Sequence, residues 1–323
     1  MNALMIDRHI ESPAAWTRST VSLAEGHLDL GPDCVAEIER VADTLRANPL
    51  PILALRPADF ELPHYRRVAA RIKLVLEEGP GFVIADRLPL HRLRREEAIA
   101  MFWLLSSLIA RPVAQKWDGT MVYDVRDLGR PPGNGIRPDV TNAEQSFHTD
   151  NSYNLCPPEH VGLLCLHPAM EGGVSRIASL LEAHNEMRRR HPDLLARLYA
   201  PFYFDRQREH APGDAMVIQH PVFEVDRGRL SGRLSRYQVV NGQALAGVAL
   251  DEEGLAALEA LDGVMGREDM TVDFHFEAGQ MQFVNNRQIA HKRTGFRDWP
   301  ESERKRHLVR LWLRDRGRAF YNG

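Results

Sequence analysis

The stretch Arg306-His-Leu-Val-Arg-Leu-Trp-Leu313 predicts a β-strand near the end of the chain. Successive side chains of a strand point to opposite faces, so alternate residues of this stretch share a face. One face then carries Arg306, Leu308, Arg310 and Trp312. The other face carries His307, Val309, Leu311 and Leu313. The stretch therefore has one flank that is apolar apart from His307 and one flank on which two arginines lie among apolar neighbours.

The two arginines on one strand face indicate a binding role. Burial of a guanidinium is costly unless an anion meets it, and its planar fork matches a carboxylate. We therefore expect Arg306 and Arg310 to receive one or two anionic groups, from ligands or from the protein itself. A pair of internal salt bridges is the alternative.

The strand is the last of a series of short predicted strands in the second half of the chain. The others cover residues 161–167, 174–178, 215–218, 222–225, 270–276 and 280–284. Helical periodicity instead marks residues 34–47, 65–78, 95–110 and 251–265, with a short buried strand at 81–85. Ser179 and Glu182 form a capping box that starts another helix, which Pro192 breaks or restarts. Helices first and strands later predict an α+β fold, with a β-sandwich or barrel core and helices packed outside it.

Size and composition predict one domain, with a largely helical part at 1–120 and a strand-rich part at 121–323. The chain has 323 residues, of which 44% are apolar and 26% charged, and no linker or single-sign charge block divides it. The net charge of −3 and the lack of a basic stripe argue against nucleic acid as a partner. A small-molecule ligand fits better, and a homo-oligomer is compatible with the sequence.

The sequence also predicts a cytoplasmic protein that does not enter a membrane. The first 16 residues lack the apolar core of a signal peptide. The longest apolar run, residues 98–110, falls short of the roughly 20 residues that cross a bilayer. The three cysteines, Cys34, Cys156 and Cys165, have no metal-type spacing and suit a reducing compartment.

A long segment rich in turn formers, residues 124–146, leads to Phe147-His-Thr-Asp150. Loops of this length inside a domain are usually functional or disordered. The segment is therefore either a cover over a site or a disordered stretch. It delivers His148 and Asp150 at the junction of a loop and a scaffold, where reactive groups are often presented.

His148-x-Asp150 is a candidate metal-binding motif, because residues i and i+2 project the same way on a strand. With 14 histidines in the chain, chance supplies similar motifs. They are His184-Asn-Glu186, His191-Pro-Asp193 and His275-Phe-Glu277. The first lies on a predicted helix, where the two side chains diverge, and the second straddles a proline break. The third lies on a predicted strand and is the strongest competitor.

His291 completes the preferred set. It follows the strand at 280–284 in the run Asn286-Arg-Gln-Ile-Ala-His291. Two histidines and one carboxylate on one side of an ion are the ligands of Fe(II) oxygenases, since they leave positions open for cosubstrate and O₂. A structural histidine on a loop is the alternative for His291.

In combination these features resemble the taurine dioxygenase family of Fe(II)/2-oxoglutarate oxygenases, which includes clavaminate-synthase-like enzymes. The resemblance extends from His148 to about Leu313. It implies that His148, Asp150 and His291 bind the iron, that Arg306 pairs with the far carboxylate of 2-oxoglutarate, and that Arg310 meets an acidic group of the substrate. The family's Gly-Gly-x-Thr element, whose hydroxyl helps bind that carboxylate, appears as Gly172-Gly-Val-Ser175.

The resemblance also implies a double-stranded β-helix, or jelly roll, with buttressing helices that are mainly N-terminal. The implied reaction consumes 2-oxoglutarate and O₂, releases succinate and CO₂, and hydroxylates a small, anionic or amino-acid-like substrate. Desaturation and epoxidation are variants of this chemistry. Related halogenases need a small residue where this chain has Asp150, so chlorination is disfavoured. We expect Asn151 and Tyr153 to form walls of the substrate pocket.

Two rival functions remain open. The same three ligands suit a zinc-dependent hydrolase, and a non-catalytic jelly-roll binding protein would use the histidines structurally. Succinate formation that depends on 2-oxoglutarate separates the first rival from the oxygenase. Iron binding that His148→Ala abolishes separates the second.

Overall fold

The computed structural model describes residues 5–130 and 138–320. Its helices are α1 (Pro32–Ala47), α2 (Pro63–Glu78), α3 (Arg95–Ile109), α4 (Leu180–Arg190), α5 (Pro192–Leu198), α6 (Arg236–Ala246) and α7 (Glu252–Gly266). The predicted helices of the first 110 residues are confirmed within two residues at each end. Ser179 accepts a hydrogen bond from the backbone of Glu182 and caps α4, and Pro192 begins α5, as expected.

The strands are short. The first eight are β1 (His27–Asp29), β2 (Phe82–Asp86), β3 (Pro112–Val113), β4 (Tyr123–Val125), β5 (Gln145–His148), β6 (His160–His167), β7 (Glu171–Gly172) and β8 (Ser175–Ser179). The others are β9 (Phe202–Asp205), β10 (Val217–His220), β11 (Phe223–Asp226), β12 (Arg229–Gly232), β13 (Thr271–Phe274), β14 (Met281–Asn285), β15 (Ile289–Arg293), β16 (Phe296–Arg297) and β17 (His307–Leu313).

The larger sheet has the order β1-β2-β14-β6-β17-β3, with β4 also paired to β17. Its outer face is covered by α1, α2 and α3. The predicted alternation of β17 explains this packing, because Val309, Leu311 and Leu313 join the apolar cluster that these helices form. All seven residues of β17 are buried, so both faces of the strand are covered.

The smaller sheet has the order β13-β8-β15-β5 and is antiparallel throughout. Apolar side chains of the two sheets pack against one another. Val161 and Trp312 of the larger sheet share a cluster with Ile177 and Val272 of the smaller sheet. Helices α4, α5 and α7 cover the far side of the smaller sheet through a separate apolar cluster. The predicted mixed architecture of sheets with helices outside is confirmed.

The structure departs from the sequence-based expectations at three elements. Helix α6 was not predicted, because its sequence carries Val239, Val240 and Gly242, which are poor helix formers. It forms because Ser235 caps it and because Gly242 packs directly on the backbone of β9. Strand β15 was missed, and β13 ends at Phe274, so His275 lies beyond it.

Two further sequence predictions concern the chain's surroundings. None of the helices in the described residues combines the length and apolarity needed to span a bilayer. All three cysteines are free thiols, with Cys34 and Cys165 buried and Cys156 partly exposed. The middle of the predicted cover, residues 131–137, lies outside the described residues.

Candidate metal centre

The pairing of β5 with β15 brings the two candidate histidines together. His148 lies directly opposite His291 in this antiparallel pair, and their ring centroids are 4.4 Å apart. The geometry of strand pairing places directly opposite side chains close together. His148 is the last residue of β5, and Asp150 follows two residues later. Local strand geometry therefore accounts for two of the three groups.

Asp150 completes the centre. Its Oδ1 lies 3.4 Å from Nε2 of His148 and 3.5 Å from Nε2 of His291. The three donor atoms all lie within 4.8 Å of one another, so they can contact one ion. Across residues 5–130 and 138–320, this is the only such group of histidine, cysteine and acidic side chains. The competing motifs at His184, His191 and His275 gather no comparable set there.

The second carboxylate oxygen of Asp150 is held by two donors from β17. The indole nitrogen of Trp312 donates to Oδ2 at 2.6 Å, and Nη1 of Arg310 lies 3.3 Å from the same oxygen. Burial alone raises the pKa of Asp150, but the Arg310 charge, together with the two neighbouring histidines, outweighs it and holds the pKa well below its ordinary value. The carboxylate is therefore anionic, as a metal ligand must be.

Hydrogen bonds fix the orientation of the first histidine. Nδ1 of His148 lies 2.9 Å from the carbonyl oxygen of Ser146. A carbonyl only accepts, so the proton resides on Nδ1 and the lone pair of Nε2 faces Asp150. Second partners of this kind set the tautomer of metal-binding histidines. The buried Nδ1 atom of His291 has no hydrogen-bond partner among the described residues, and burial together with His148 lowers the pKa of His291.

Asn286 fixes the segment that carries Asp150. Its side-chain oxygen accepts from the backbone N–H of Asp150 at 2.7 Å, and its amide nitrogen donates to the carbonyls of Asp150 and Pro158 at 3.0 Å each. Asn286 is fully buried and follows β14 directly. Three hydrogen bonds from one side chain thus tie the third ligand to the larger sheet.

A small cavity of about 50 Å³ adjoins the two histidines and contains the predicted cosubstrate residues Arg306 and Ser175. Arg306 is only 5% exposed, and no described residue forms a hydrogen bond with its guanidinium. The guanidinium lies 5.0 Å from the ring centroid of Phe296. Burial and the charge of Arg293 lower the pKa of Arg306 to about 9. A buried cation of this kind calls for an anion.

The glycines before Ser175 allow the chain to approach Arg306. Gly173 has a φ of 66°, and a Cβ there would lie 3.3 Å from Nε of Arg306. Ser175 is buried, with Oγ 2.8 Å from the side-chain oxygen of Gln282. Amide oxygen and nitrogen are assigned by their hydrogen bonds, and the nitrogen of Gln282 has no described partner. With the amide rotated, Gln282 would donate to Ser175 and free the hydroxyl proton for a carboxylate.

A second cleft of about 220 Å³ lies on the other side of His148 and Asp150. Asn151, Tyr153 and Arg310, the three predicted substrate contacts, line it. Tyr153 is buried and belongs to an apolar cluster. Arg310 borders both spaces, and besides Asp150 it contacts Asp139 at 3.3 Å. The internal salt bridges considered from the sequence are thus present at Arg310 and absent, among the described residues, at Arg306.

Sequence reasoning missed several residues that support the site. They are Gln115, Asp139, Gln145, Gln282, Asn286 and the indole of Trp312. A signal existed only for Trp312, which shares the predicted strand face with both arginines. Gln145 and Asn286 lie within five residues of His148 and His291, but no local pattern distinguishes them, and Gln115, Asp139 and Gln282 lie further away in sequence.

Comparisons with known proteins identify the family of this chain. Residues 48–312 match the model of the family described as "Taurine catabolism dioxygenase TauD, TfdA family". The chain is 27% identical over 323 residues to FR-33289 synthase of Streptomyces rubellomurinus, covering 98% of this chain and 94% of the relative. It is 25% identical over 294 residues to the taurine hydroxylase-like protein SAT17 of Stachybotrys chartarum, covering 86% of this chain and 72% of that protein.

Two solved structures share the fold. One is an asparagine oxygenase in complex with Fe(II), a 3-hydroxyasparagine and succinate, with a TM-score of 0.71 and 18% identity, covering 90% of this chain and 94% of that chain. The other is the non-heme iron oxygenase OrfP in complex with Fe and alpha-ketoglutaric acid, with a TM-score of 0.64, 17% identity and the same coverage. The chain belongs to the TauD, TfdA family and is an oxidoreductase that depends on Fe(II), 2-oxoglutarate and O₂.

Proposed function

We propose that His148, Asp150 and His291 bind the iron and that the enzyme hydroxylates a small organic substrate. The observation that carries this proposal is the joint placement of a two-histidine, one-carboxylate centre and a buried, uncompensated arginine in the cavity beside it. The donor set of two nitrogens and one carboxylate oxygen suits Fe(II) and leaves other coordination positions open. Bound together, Fe(II) and 2-oxoglutarate supply the activation of O₂, with succinate and CO₂ as products.

Arg306 and Ser175 are proposed to hold the far carboxylate of 2-oxoglutarate. Arg306 has no described hydrogen-bond partner for its guanidinium, and Ser175 lines the same cavity. A carboxylate between them would compensate the buried charge and accept a bidentate pair of hydrogen bonds. Trp312 and Asn286 orient Asp150, so that its carboxylate keeps one oxygen directed towards the histidines.

The cleft lined by Asn151, Tyr153 and Arg310 is proposed to bind the substrate. At about 220 Å³, it is smaller than the roughly 300–1,000 Å³ of pockets for drug-sized ligands, which favours a small molecule. The solved relatives in complex with a hydroxylated asparagine or a hydroxy-L-arginine favour hydroxylation of an amino-acid-like compound. Asp150 supplies the carboxylate that a halogenase would lack, which favours hydroxylation over chlorination.

We further propose that the two sheets are the halves of a double-stranded β-helix in a single domain spanning residues 1–323. The shared apolar cluster between the sheets supports the first point. The second is supported by the larger sheet, which joins β1 and β2 from the N-terminal part to β14, β6 and β17 from the rest. Neither half could complete this sheet alone.

The test is anaerobic reconstitution with Fe(II), followed by measurement of bound iron and of succinate formed from 2-oxoglutarate and O₂. We expect about one iron per chain and succinate release that a suitable substrate accelerates. His148→Ala should abolish both, whereas His9→Ala, at an exposed position, should change neither. Tight zinc binding with hydrolysis and no 2-oxoglutarate consumption would instead support the hydrolase, and iron-free protein after loading would support the binding protein.

A further inference from the structure

Three buried side chains that face the proposed substrate cleft have polar atoms without partners. Both amide atoms of Asn151, Oδ1 of Asp139 and Oε1 of Gln238 form no hydrogen bond within the described residues. Asn151 is 4% exposed, Gln238 7% and Asp139 8%. All three line the 220 Å³ cleft. They come from three separate segments, so a single local distortion does not explain them.

Unpartnered buried polar groups are rare because each costs about 1–3 kcal/mol. Their concentration at one cleft indicates that a bound molecule completes their hydrogen bonds. The backbone of Asn151 supports this reading, since its φ of 57° places a non-glycine residue in the left-handed region. The surrounding hydrogen bonds, including that from the N–H of Asn154 to the carbonyl of Asn151, hold the residue there and direct its amide into the cleft.

The donor or acceptor role of each of these atoms indicates which kind of molecule binds the cleft. Oδ1 of Asp139, Oδ1 of Asn151 and Oε1 of Gln238 are acceptors, whereas Nδ2 of Asn151 is the single donor. A molecule that satisfies them must therefore mainly donate hydrogen bonds. The proposed cosubstrate cannot do so for Asp139, because 2-oxoglutarate is a dianion and a carboxylate would repel it.

The charges of the cleft agree with a donor. Arg310 is paired with two carboxylates, Asp139 at 3.3 Å and Asp150 at 3.3 Å. Its single positive charge is thus already compensated, which weakens the expectation that it recognises an anionic substrate group. Fe(II) would balance the charge of Asp150, so Arg310 is left to pair with Asp139, whose Oδ1 remains as an acceptor for a further donor.

We propose that the substrate carries a protonated primary amine that Asp139 binds, with Asn151 and Gln238 accepting from or donating to polar groups beside it. This inference rests on the proposed function, because it assigns the substrate class of the same cleft. It replaces Arg310 by Asp139 as the residue that selects the substrate's charge.

The experiment is calorimetric binding to anaerobic protein loaded with Fe(II) and 2-oxoglutarate. The probes are the proteinogenic L-amino acids and short unbranched alkylamines, each with its N-acetyl derivative and the analogue that has hydrogen in place of the amino group. We expect the probes that carry a free amine to bind. Acetylation or removal of the amine should lower the affinity roughly 10- to 100-fold, as for a lost charge-assisted hydrogen bond.

Substitutions of Asp139 and Asn151 test whether these residues bind the amine-bearing substrate. Asp139→Asn, which keeps the shape, and Asn151→Gly, which tolerates the backbone conformation, should each weaken amine binding by about tenfold or more. Glu171→Gln is the control, because it removes an exposed carboxylate that pairs with Arg297 at 2.6 Å and does not line the cleft. We expect less than about a threefold change for it.

Binding of 2-oxoglutarate in the same samples separates the two proposals. If 2-oxoglutarate fails to bind, the proposed function itself is wrong. If it binds but amines show no preference over their acetylated and amine-free counterparts, or if no probe binds, the amine assignment is overturned. An equal loss for Asp139→Asn and Glu171→Gln would also overturn the role of Asp139.

Discussion

At the scale of single residues, Arg306 is the clearest mark of a ligand. We predict that Arg306→Ala weakens 2-oxoglutarate binding by roughly 10- to 150-fold, because a hydrogen bond to a charged group contributes about 1.5–3 kcal/mol. Titration of 2-oxoglutarate into anaerobic, iron-loaded protein measures this. Arg297→Ala is the control, since Arg297 is exposed and pairs with exposed Glu171.

Replacing Arg306 by an apolar residue of similar length should affect stability in the opposite direction. A buried guanidinium without a carboxylate costs free energy, so Arg306→Met should raise the unfolding midpoint of the ligand-free protein. A lower affinity for 2-oxoglutarate together with a higher unfolding midpoint would show that Arg306 serves ligand binding and not stability. Unchanged 2-oxoglutarate affinity in Arg306→Ala would contradict its assignment to the cosubstrate.

Trp312 provides a second prediction at this scale. Trp312→Phe removes the indole N–H that donates to Oδ2 of Asp150 at 2.6 Å and keeps most of the apolar contact. We expect Fe(II) affinity to fall by about 10- to 100-fold, the usual effect of losing a partner of a metal ligand. Competition with a coloured chelator measures the affinity. Trp117→Phe, at a half-exposed indole, should have no effect, and an equal loss in both variants would refute the role of Trp312.

At the scale of elements, strand pairing builds the site. The register of β5 with β15 sets the two histidines opposite one another, and β17 contributes Arg310 and Trp312. The sequence identified His148 and His291 but placed His291 beyond a strand. Strand β15 is short, and its Lys292 and Arg293 obscure the alternation of apolar and polar side chains that would mark a strand. Its partners, β5 and β8, lie more than 100 residues away.

The turn that precedes Ser175 gives a prediction about an element. A Cβ on Gly172 would overlap the carbonyl oxygen of Gly295, and its φ of 74° is already unfavourable for other residues. Gly172→Ala should therefore destabilise the protein by several kcal/mol. The matched control is Gly213→Ala, where φ is 88° but no atom lies within 4 Å, so about 1 kcal/mol is expected.

Urea titrations of both glycine variants measure the difference in unfolding free energy. Because Gly173 contacts Arg306, movement of this turn should also weaken 2-oxoglutarate binding in Gly172→Ala. Equal destabilisation of the two variants would show that the close approach to Gly295 is unimportant.

At the scale of the whole molecule, buried histidines outside the site control stability against acid. Burial and the charge of Lys73 lower the pKa of His160 to about 4, and burial and Arg188 do the same for His184. The unfolded chain, with a histidine pKa near 6.5, binds more protons than the folded chain between these values. Stability is therefore complete above about pH 6.5 and falls as the pH approaches 4.

We predict a loss of roughly 3 kcal/mol per histidine over this range, measured as unfolding free energy at a series of pH values. His184→Gln should make the dependence shallower, since it removes one titrating group and retains a partner for the hydroxyl of Tyr199, which lies 2.9 Å from Nε2 of His184. His9→Gln, at an exposed position, should leave the slope unchanged. Identical slopes for wild type and His184→Gln would contradict the prediction.

Patterns within one element were enough to predict the N-terminal helices, the alternation of β17 and the order of helices before strands. These follow from side-chain periodicity, which is a property of neighbouring residues. A candidate ligand set could also be named from the sequence, because His148 and Asp150 are two residues apart and family motifs accompany His291 and Arg306, and it stays a prediction.

Only the tertiary structure decided which charges are compensated. Arg306 and Arg310 are equivalent in the sequence pattern, yet the guanidinium of Arg310 meets Asp139 and Asp150 while the guanidinium of Arg306 pairs with no described carboxylate. Helix α6, which brings Gln238 into the cleft, likewise depends on packing against β9 rather than on its own propensity. The physical reason is that charge pairs and packing contacts form between residues that are far apart in the chain. Strand register and the anchoring of loops bring those residues together.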